Sequence, residues 1–116
     1  MVYIGLNLSE ITAWECIPDI LKIKPKQIFS MEVSDLLRLQ YISCFEMNHA
    51  PVLDILKRRF GITVSVPERK ELHKIHKYDK IIIVTVTKVR HLDPEERYTK
   101  EELVKAGIYF RMYEIK

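Results

Sequence analysis

Apolar positions alternate with polar ones in some stretches of this chain and recur at helical spacing in others. Val2 to Leu6 is apolar and partly β-branched, which predicts a strand ending at Asn7-Leu8-Ser9. Ser9 has the chemistry of a helix N-cap, with Leu8 ahead of it as a staple, so a short helical turn is expected through Trp14. Pro18 and Pro25 interrupt the chain, and the weak alternation of Ile20 to Ile23 predicts an edge strand. Ser30 as N-cap opens a helix over Met31 to Leu39, with Val33, Leu36 and Leu37 on one face. Tyr41 to Phe45 reads as a short strand. Asn48-His49-Ala50-Pro51 is a helix start, because proline suits the first turn. Val52, Leu53, Ile55, Leu56 and Phe60 follow at helical period. Lys57, Arg58 and Arg59 fill the last turn, where the helix dipole favours cations, and Gly61 is the expected left-handed stop. Ile62, Val64 and Val66 alternate with Thr63 and Ser65 as a strand does, and Pro67-Glu68-Arg69 turns the chain. Lys70 to His76 is polar and predicts a short helix or strand. Ile81 to Val89 is the expected central strand, followed by a charged loop from Arg90 to Tyr98. Thr99-Lys100-Glu101-Glu102 is a capping box, its helix running to about Ala106 and stopping at Gly107. Ile108, Phe110 and Met112 alternate with Tyr109, Arg111 and Tyr113 in a last strand.

Strands mixed with helices in this order predict an α/β (mixed α+β) fold: one mixed central sheet with helices packed on it. A length of 116 residues fits a single domain spanning 1–116. A domain this small has little room for a deep cleft, so a large ligand calls for a second copy. Hydrophobic residues at 47% and charged residues at 30% describe a globular chain rather than a disordered one. The longest apolar run, Ile81 to Val84, is strand-sized, and Met1 to Leu8 lacks the pattern of a signal peptide. A cytoplasmic protein is therefore expected, in the host cell's cytoplasm if the gene is viral, with no membrane partner. The net charge of +3 is compatible with an anionic partner but gives no basic stripe for duplex nucleic acid. Cys16 and Cys44 have no CxxC spacing and are expected to be reduced core thiols.

Few residues carry the signature of chemistry. Phosphate-binding glycine loops, GxSxG and HExxH are all absent, which removes most nucleoside-triphosphate and hydrolase classes. His73 and His76 lack further metal ligands nearby and read as a solvated polar turn, so no metal site and no cofactor are expected. His49 stands at a helix start after a strand. Free N–H groups and the positive dipole end bind phosphate there, and a histidine can donate a hydrogen bond or a proton to a phosphate ester. The alternative for His49 is an N-terminal cap or a packed loop residue. Arg90, at a strand end, either clamps phosphate bidentately or pairs with the acidic loop of Asp93, Glu95 and Glu96. Asn7 reads a base or ribose edge or makes an Asx turn. Arg69 reaches an anionic ligand or is solvated.

Taken in order, these pieces resemble the viral type III anti-CRISPR ring nucleases of archaeal viruses, which have bacterial and phage relatives. The matching string is a first strand followed by Asn7 and Ser9, then His49 opening an amphipathic helix that ends at Gly61. A strand closing in an arginine follows (Ile62 to Arg69), then Asp79-Lys80 opening a long apolar strand that ends at Arg90. The Thr99 helix start and an aromatic last strand, Ile108 to Ile115, complete it. The resemblance covers nearly the whole chain and is strongest from His49 onward.

It implies a homodimer that binds cyclic tetra-adenylate, the second messenger of type III CRISPR complexes, and cuts it without a metal, silencing the defence. A ribose 2′-hydroxyl attacks the adjacent phosphorus in line, giving linear di-adenylate with 2′,3′-cyclic phosphate and 5′-hydroxyl ends. His49 then matches the general acid on the 5′-oxygen, and Arg90 the phosphate-holding arginine. Arg69 and Asn7 match ligand contacts, with Ser9 and Asn48 beside them. The sequence departs from the family at three points. Asn48 replaces a glycine before the histidine, Pro51 replaces a serine after it, and the loop after Arg90 is longer. Asp93, Glu95 or Glu96 therefore fills the place of a family glutamate, and Glu95 is the residue expected there. Orienting a nucleophile already inside the substrate supplies about 7–11 kcal/mol. One acid and a few cations add the rest. Two other classes compete: a cyclic oligoadenylate sponge that binds without cutting, and a small DNA-binding or host-interaction protein that shares only the fold.

Overall fold

The computed structural model describes every residue from Met1 to Lys116. In chain order the elements are β1 (Val2–Gly5), α1 (Leu8–Ile11), α2 (Ile17–Leu21), β2 (Lys26–Ile28), α3 (Ser30–Leu37), β3 (Tyr41–Ser43), α4 (Ala50–Phe60), β4 (Lys80–Thr87), α5 (Lys100–Lys105) and β5 (Gly107–Glu114). Single 3₁₀ turns precede α2 (Trp14–Cys16) and α4 (Met47–His49). The strands form one mixed five-stranded sheet in the order β2-β5-β4-β1-β3. β1 runs parallel to both β3 and β4, placing Ile4 between Ser43 and Ile82, while β5 runs antiparallel to β4 and to β2.

The run Ile81 to Val84 does not alternate because β4 is covered on both faces, as parallel strands usually are. Ile82 and Val84 join Ile4, Phe45, Leu56 and Phe110 in the larger core, under α3 and α4. Ile81 and Ile83 join Tyr3, Ile11, Ile20 and Tyr113 in a second core on the other face, under α1 and α2. A third cluster of Ile55, Leu92, Tyr98 and Leu103 ties α4 to α5 and to the charged loop. Burying each such large apolar side chain contributes about 1.5–3 kcal/mol. The start of β4 is fixed by Asp79, a buried carboxylate that takes the Met1 amine at 3.1 Å and the His76 N–H at 2.8 Å.

Gly5 is needed where α1 folds back on β1. A Cβ there would stand 3.0 Å from the Ile11 side chain and 3.3 Å from Cys44 Cβ. Gly61 ends α4 at φ 69°, donating to Lys57 O while Ile62 N–H reaches Leu56 O, the paired bonds of a left-handed stop. Thr99 caps α5 through Glu102 N–H, and the Glu102 carboxylate returns a bond to Thr99 N–H, completing the expected box. Arg59 reaches from the last turn of α4 to the carbonyls of Leu103 and Ala106 at the end of α5.

The structure corrects five expectations. The N-cap of α1 is Asn7, in extended conformation, and Ser9 lies inside the helix; the Asn7 amide donates to Glu10 Oε1 at 3.1 Å. Phe29 and not Ser30 holds the cap position of α3, where its N–H donates to Glu32. Ile20 is helical, because Pro18 initiates α2, and the edge strand on that side is Lys26–Ile28. Ile62 to Val66 forms no ladder. The alternation is real, since Ile62 and Val64 are buried and Thr63 and Ser65 exposed, but the segment is extended without a strand partner. Lys70 to His76 is neither helix nor strand. It is pinned beside α1, where His73 N–H donates to Ile11 O, and Thr12 Oγ1 and Ala13 N–H donate to His73 O.

Candidate functional site

β1, β3 and β4 are mutually parallel, so their carboxyl ends gather at one edge of the sheet, the usual place for a ligand in sheets of this kind. Asn7 follows β1, the turn Met47–His49 follows β3, and Arg90 follows β4. Lys88, left-handed at φ 60°, bends the chain out of β4 just before Arg90. These ends border an open cavity of about 740 Å³ whose walls include Asn7, Asn48, His49, Arg90 and Arg111. Arg69 lines a smaller neighbouring cavity of about 280 Å³ with Glu10, Cys44, Glu46 and Lys70. Ser9 and Glu95 are exposed and line neither cavity.

His49 is the N-cap residue of α4, and its ring is nearly enclosed, with a side-chain exposure of 14%. Nδ1 accepts the Glu46 N–H at 3.0 Å, and Phe45 meets the ring edge-on. With Nδ1 an acceptor, the neutral ring carries its proton on Nε2. Nε2 lies 3.8 Å from Glu10 Oε2. Beside them Lys70 Nζ approaches Glu46 Oε1 at 2.7 Å. This hydrogen bond holds the Glu46 carboxyl below the ordinary glutamate range and the Lys70 ammonium above the ordinary lysine range. Burial pushes the Cys44 thiol, behind Glu10, up to about 11.

Arg90 is far more open, with 54% of its side chain exposed. It donates from Nε and Nη2 to the two oxygens of Glu102, at 2.8 and 3.4 Å, and Nη1 stands 3.5 Å from Glu96. The hydrogen bond to Glu102 raises the guanidinium and lowers the Glu102 carboxyl relative to their ordinary values. Tyr98 donates its hydroxyl to Arg90 O at 2.9 Å and so ties the loop back to the strand end. The fork that meets Glu102 has the geometry that meets a phosphate, and those donors are engaged by this carboxylate.

Four residues selected from the sequence thus share one cavity, Arg69 lies next to it, and Ser9 and Glu95 stand apart. Sequence reasoning missed Glu10, the Glu46–Lys70 pair, Glu102 as the partner of Arg90, and Arg111. Only the Asn7-x-x-Glu10 spacing carried a local signal, since a residue at the N-cap and a carboxylate three positions later face each other.

No protein-family model matches this sequence, and no curated protein matches it. Among solved structures it is similar to B116 of Sulfolobus turreted icosahedral virus, with a TM-score of 0.57 and 10% identity over 97% of each chain. The likeness is therefore one of size and fold across the whole chain, and at that identity no residue role passes from one protein to the other.

Proposed function

We propose that this chain is a metal-independent ring nuclease that, as a homodimer, cleaves cyclic tetra-adenylate and so acts against type III CRISPR signalling. The observation that carries the reading is the convergence of His49, Asn7, Asn48 and Arg90 on one cavity, which pairs a nearly enclosed imidazole at a helix start with an open guanidinium. In the reaction a ribose 2′-oxygen bonds to phosphorus and the bond from phosphorus to the 5′-oxygen breaks. The leaving oxygen takes the proton from Nε2 of His49, and the 2′-hydroxyl proton passes to solvent. Arg90 leaves its carboxylates to hold the non-bridging phosphate oxygens. Asn7 and Asn48 contact the ribose and base, Arg69 extends the cationic surface, and Glu96 and Glu102 keep Arg90 in place between turnovers. A two-fold axis would set two such cavities against a ring of four phosphates, each copy contributing the same residues.

The test is incubation of pure protein with cyclic tri-, tetra- and hexa-adenylate, with and without EDTA, resolved by chromatography. Conversion of the tetramer to linear di-adenylate in EDTA is expected, and a monomeric variant is expected neither to bind nor to cut. Loss of all cleavage in chelator would overturn the metal-independent route. One observation favours a second reading, a sponge that binds without cutting: the Glu46 N–H occupies Nδ1 and favours the neutral ring. Tight binding with full recovery of intact ligand would establish it.

A further inference from the structure

Glu10 is the one residue whose side chain leaves a buried polar atom without a hydrogen-bond partner: Oε2 is out of contact with solvent and unpaired, while Oε1 takes the Asn7 amide at 3.1 Å. A buried, unsatisfied carboxylate oxygen is costly and calls for a reason. This one faces His49 Nε2 at 3.8 Å, the nitrogen that carries the ring proton. We infer that Glu10 is a positioning residue for His49, the counter-charge that supports the imidazolium form through Nε2. The inference rests on the proton-donor role given to His49 above.

The surrounding charges isolate this role. From its own segment, His49 meets Glu46, whose carboxylate is engaged by Lys70 of the segment after α4. From beyond β4, Arg90 and His91 line the same cavity, and Arg90 is paired with Glu96 and Glu102. Arg111 comes from β5 and Cys44 lies behind Glu10. Glu68, Arg69, Lys70, Glu71 and His73 line the cavity beside Glu10, and Lys70, whose ammonium is bonded to Glu46, also feels the Glu10 charge; His49 is the group that Glu10 Oε2 approaches within 4 Å. The need for it is specific. A doubly protonated ring must give up the bond from the Glu46 N–H, because Nδ1 then becomes a donor itself. An anion at Nε2 offsets that loss, and at 3.8 Å it is near enough to act by charge without taking the Nε2 proton in a hydrogen bond.

The test compares wild type, Glu10→Gln and Glu10→Asp as full-length chains. The His49 ring is titrated by NMR, and single-turnover cleavage of cyclic tetra-adenylate is followed against pH. Removing an anion disfavours the charged imidazole, so Glu10→Gln should move the His49 titration midpoint, and the falling limb of the cleavage profile, to lower pH. Glu10→Asp, which keeps the charge but draws it back, should fall between the two. An unmoved His49 midpoint in a folded Glu10→Gln protein would overturn the inference. Wild type that neither binds nor cuts the ring would sink the nuclease reading instead, while the NMR titration would still decide whether Glu10 and His49 are coupled.

Discussion

The two sides of the cavity are built in opposite ways. His49 is held by main chain and packing: a helix start beneath it, a backbone N–H on Nδ1 and an aromatic ring against its edge. Arg90 is held by carboxylates on an exposed loop and on α5. The first arrangement fixes geometry, because moving the ring means breaking structure. The second fixes little, since exposed ion pairs are weak, screened by solvent, and yield to a better anion. A site that must place a proton accurately and also take up and release a charged ligand has use for both.

The contrast can be broken at several points. His49→Ala should lower cleavage by about 10²- to 10⁴-fold, the usual range for a general acid, while ligand still binds. Kinetics with parallel calorimetry checks this, and undiminished cutting would remove His49 from the chemistry. Arg90→Ala should act mainly on affinity. Losing charge-assisted bonds worth about 1.5–3 kcal/mol weakens binding roughly 10- to 100-fold, more at low salt than at high salt. Equal loss at both salt concentrations would mean that Arg90 serves the fold and not the ligand. Gly5→Ala probes the rigid side from behind. Its methyl meets Ile11 and Cys44, so about 1–3 kcal/mol of stability should be lost in denaturant melts, with the α1 residues Ser9 and Glu10 displaced.

The smallest effect lies in acid on the loose side. The Glu102 carboxyl is lowered by its bond from Arg90 and by the Thr99 main chain. Its contribution is therefore complete above the ordinary glutamate range and disappears as pH falls through the lowered value. Protection of residues 90–102, measured as exchange relative to the intrinsic rate at each pH, should fall below about pH 4.5 in wild type, and Glu102→Gln should show that lower protection already at neutral pH.

Where the determinant was local, the chain disclosed it. Gly61, the Thr99 box and the long run of β4 rest on neighbours within a few residues, and all three stand where the pattern put them. Ile20 and Ile23 were misread because two isoleucines three apart fit weak alternation as well as one helix face, and Pro18 was taken as a break rather than a start. β2 escaped notice because an edge strand of Lys26, Gln27 and Ile28 buries only the last of the three. Ile62 to Val66 has strand-like burial, but pairing depends on what lies alongside, which no local pattern records. The site divides in the same way. Asn7 and His49 sit at element ends that can be found from sequence, whereas Arg90, expected to close the central strand, stands three residues past its last residue, Thr87, because Lys88 bends the chain out of β4. Their partners Glu10, Glu46 with Lys70, and Glu102 are set by tertiary contacts between segments up to 39 positions apart in the His49–Glu10 pair (49 minus 10).

The two cysteines have a practical consequence. Cys44 is buried beside Glu10 with its thiol raised to about 11, so it stays protonated and unreactive at neutral pH. Cys16 is half-buried and borders a separate groove of about 810 Å³ with Ile20 and Ile75, away from the residues that line the His49 cavity. A maleimide dye added to the native protein should therefore attach at one position, Cys16. That gives a fluorescent handle for binding measurements without any engineered substitution.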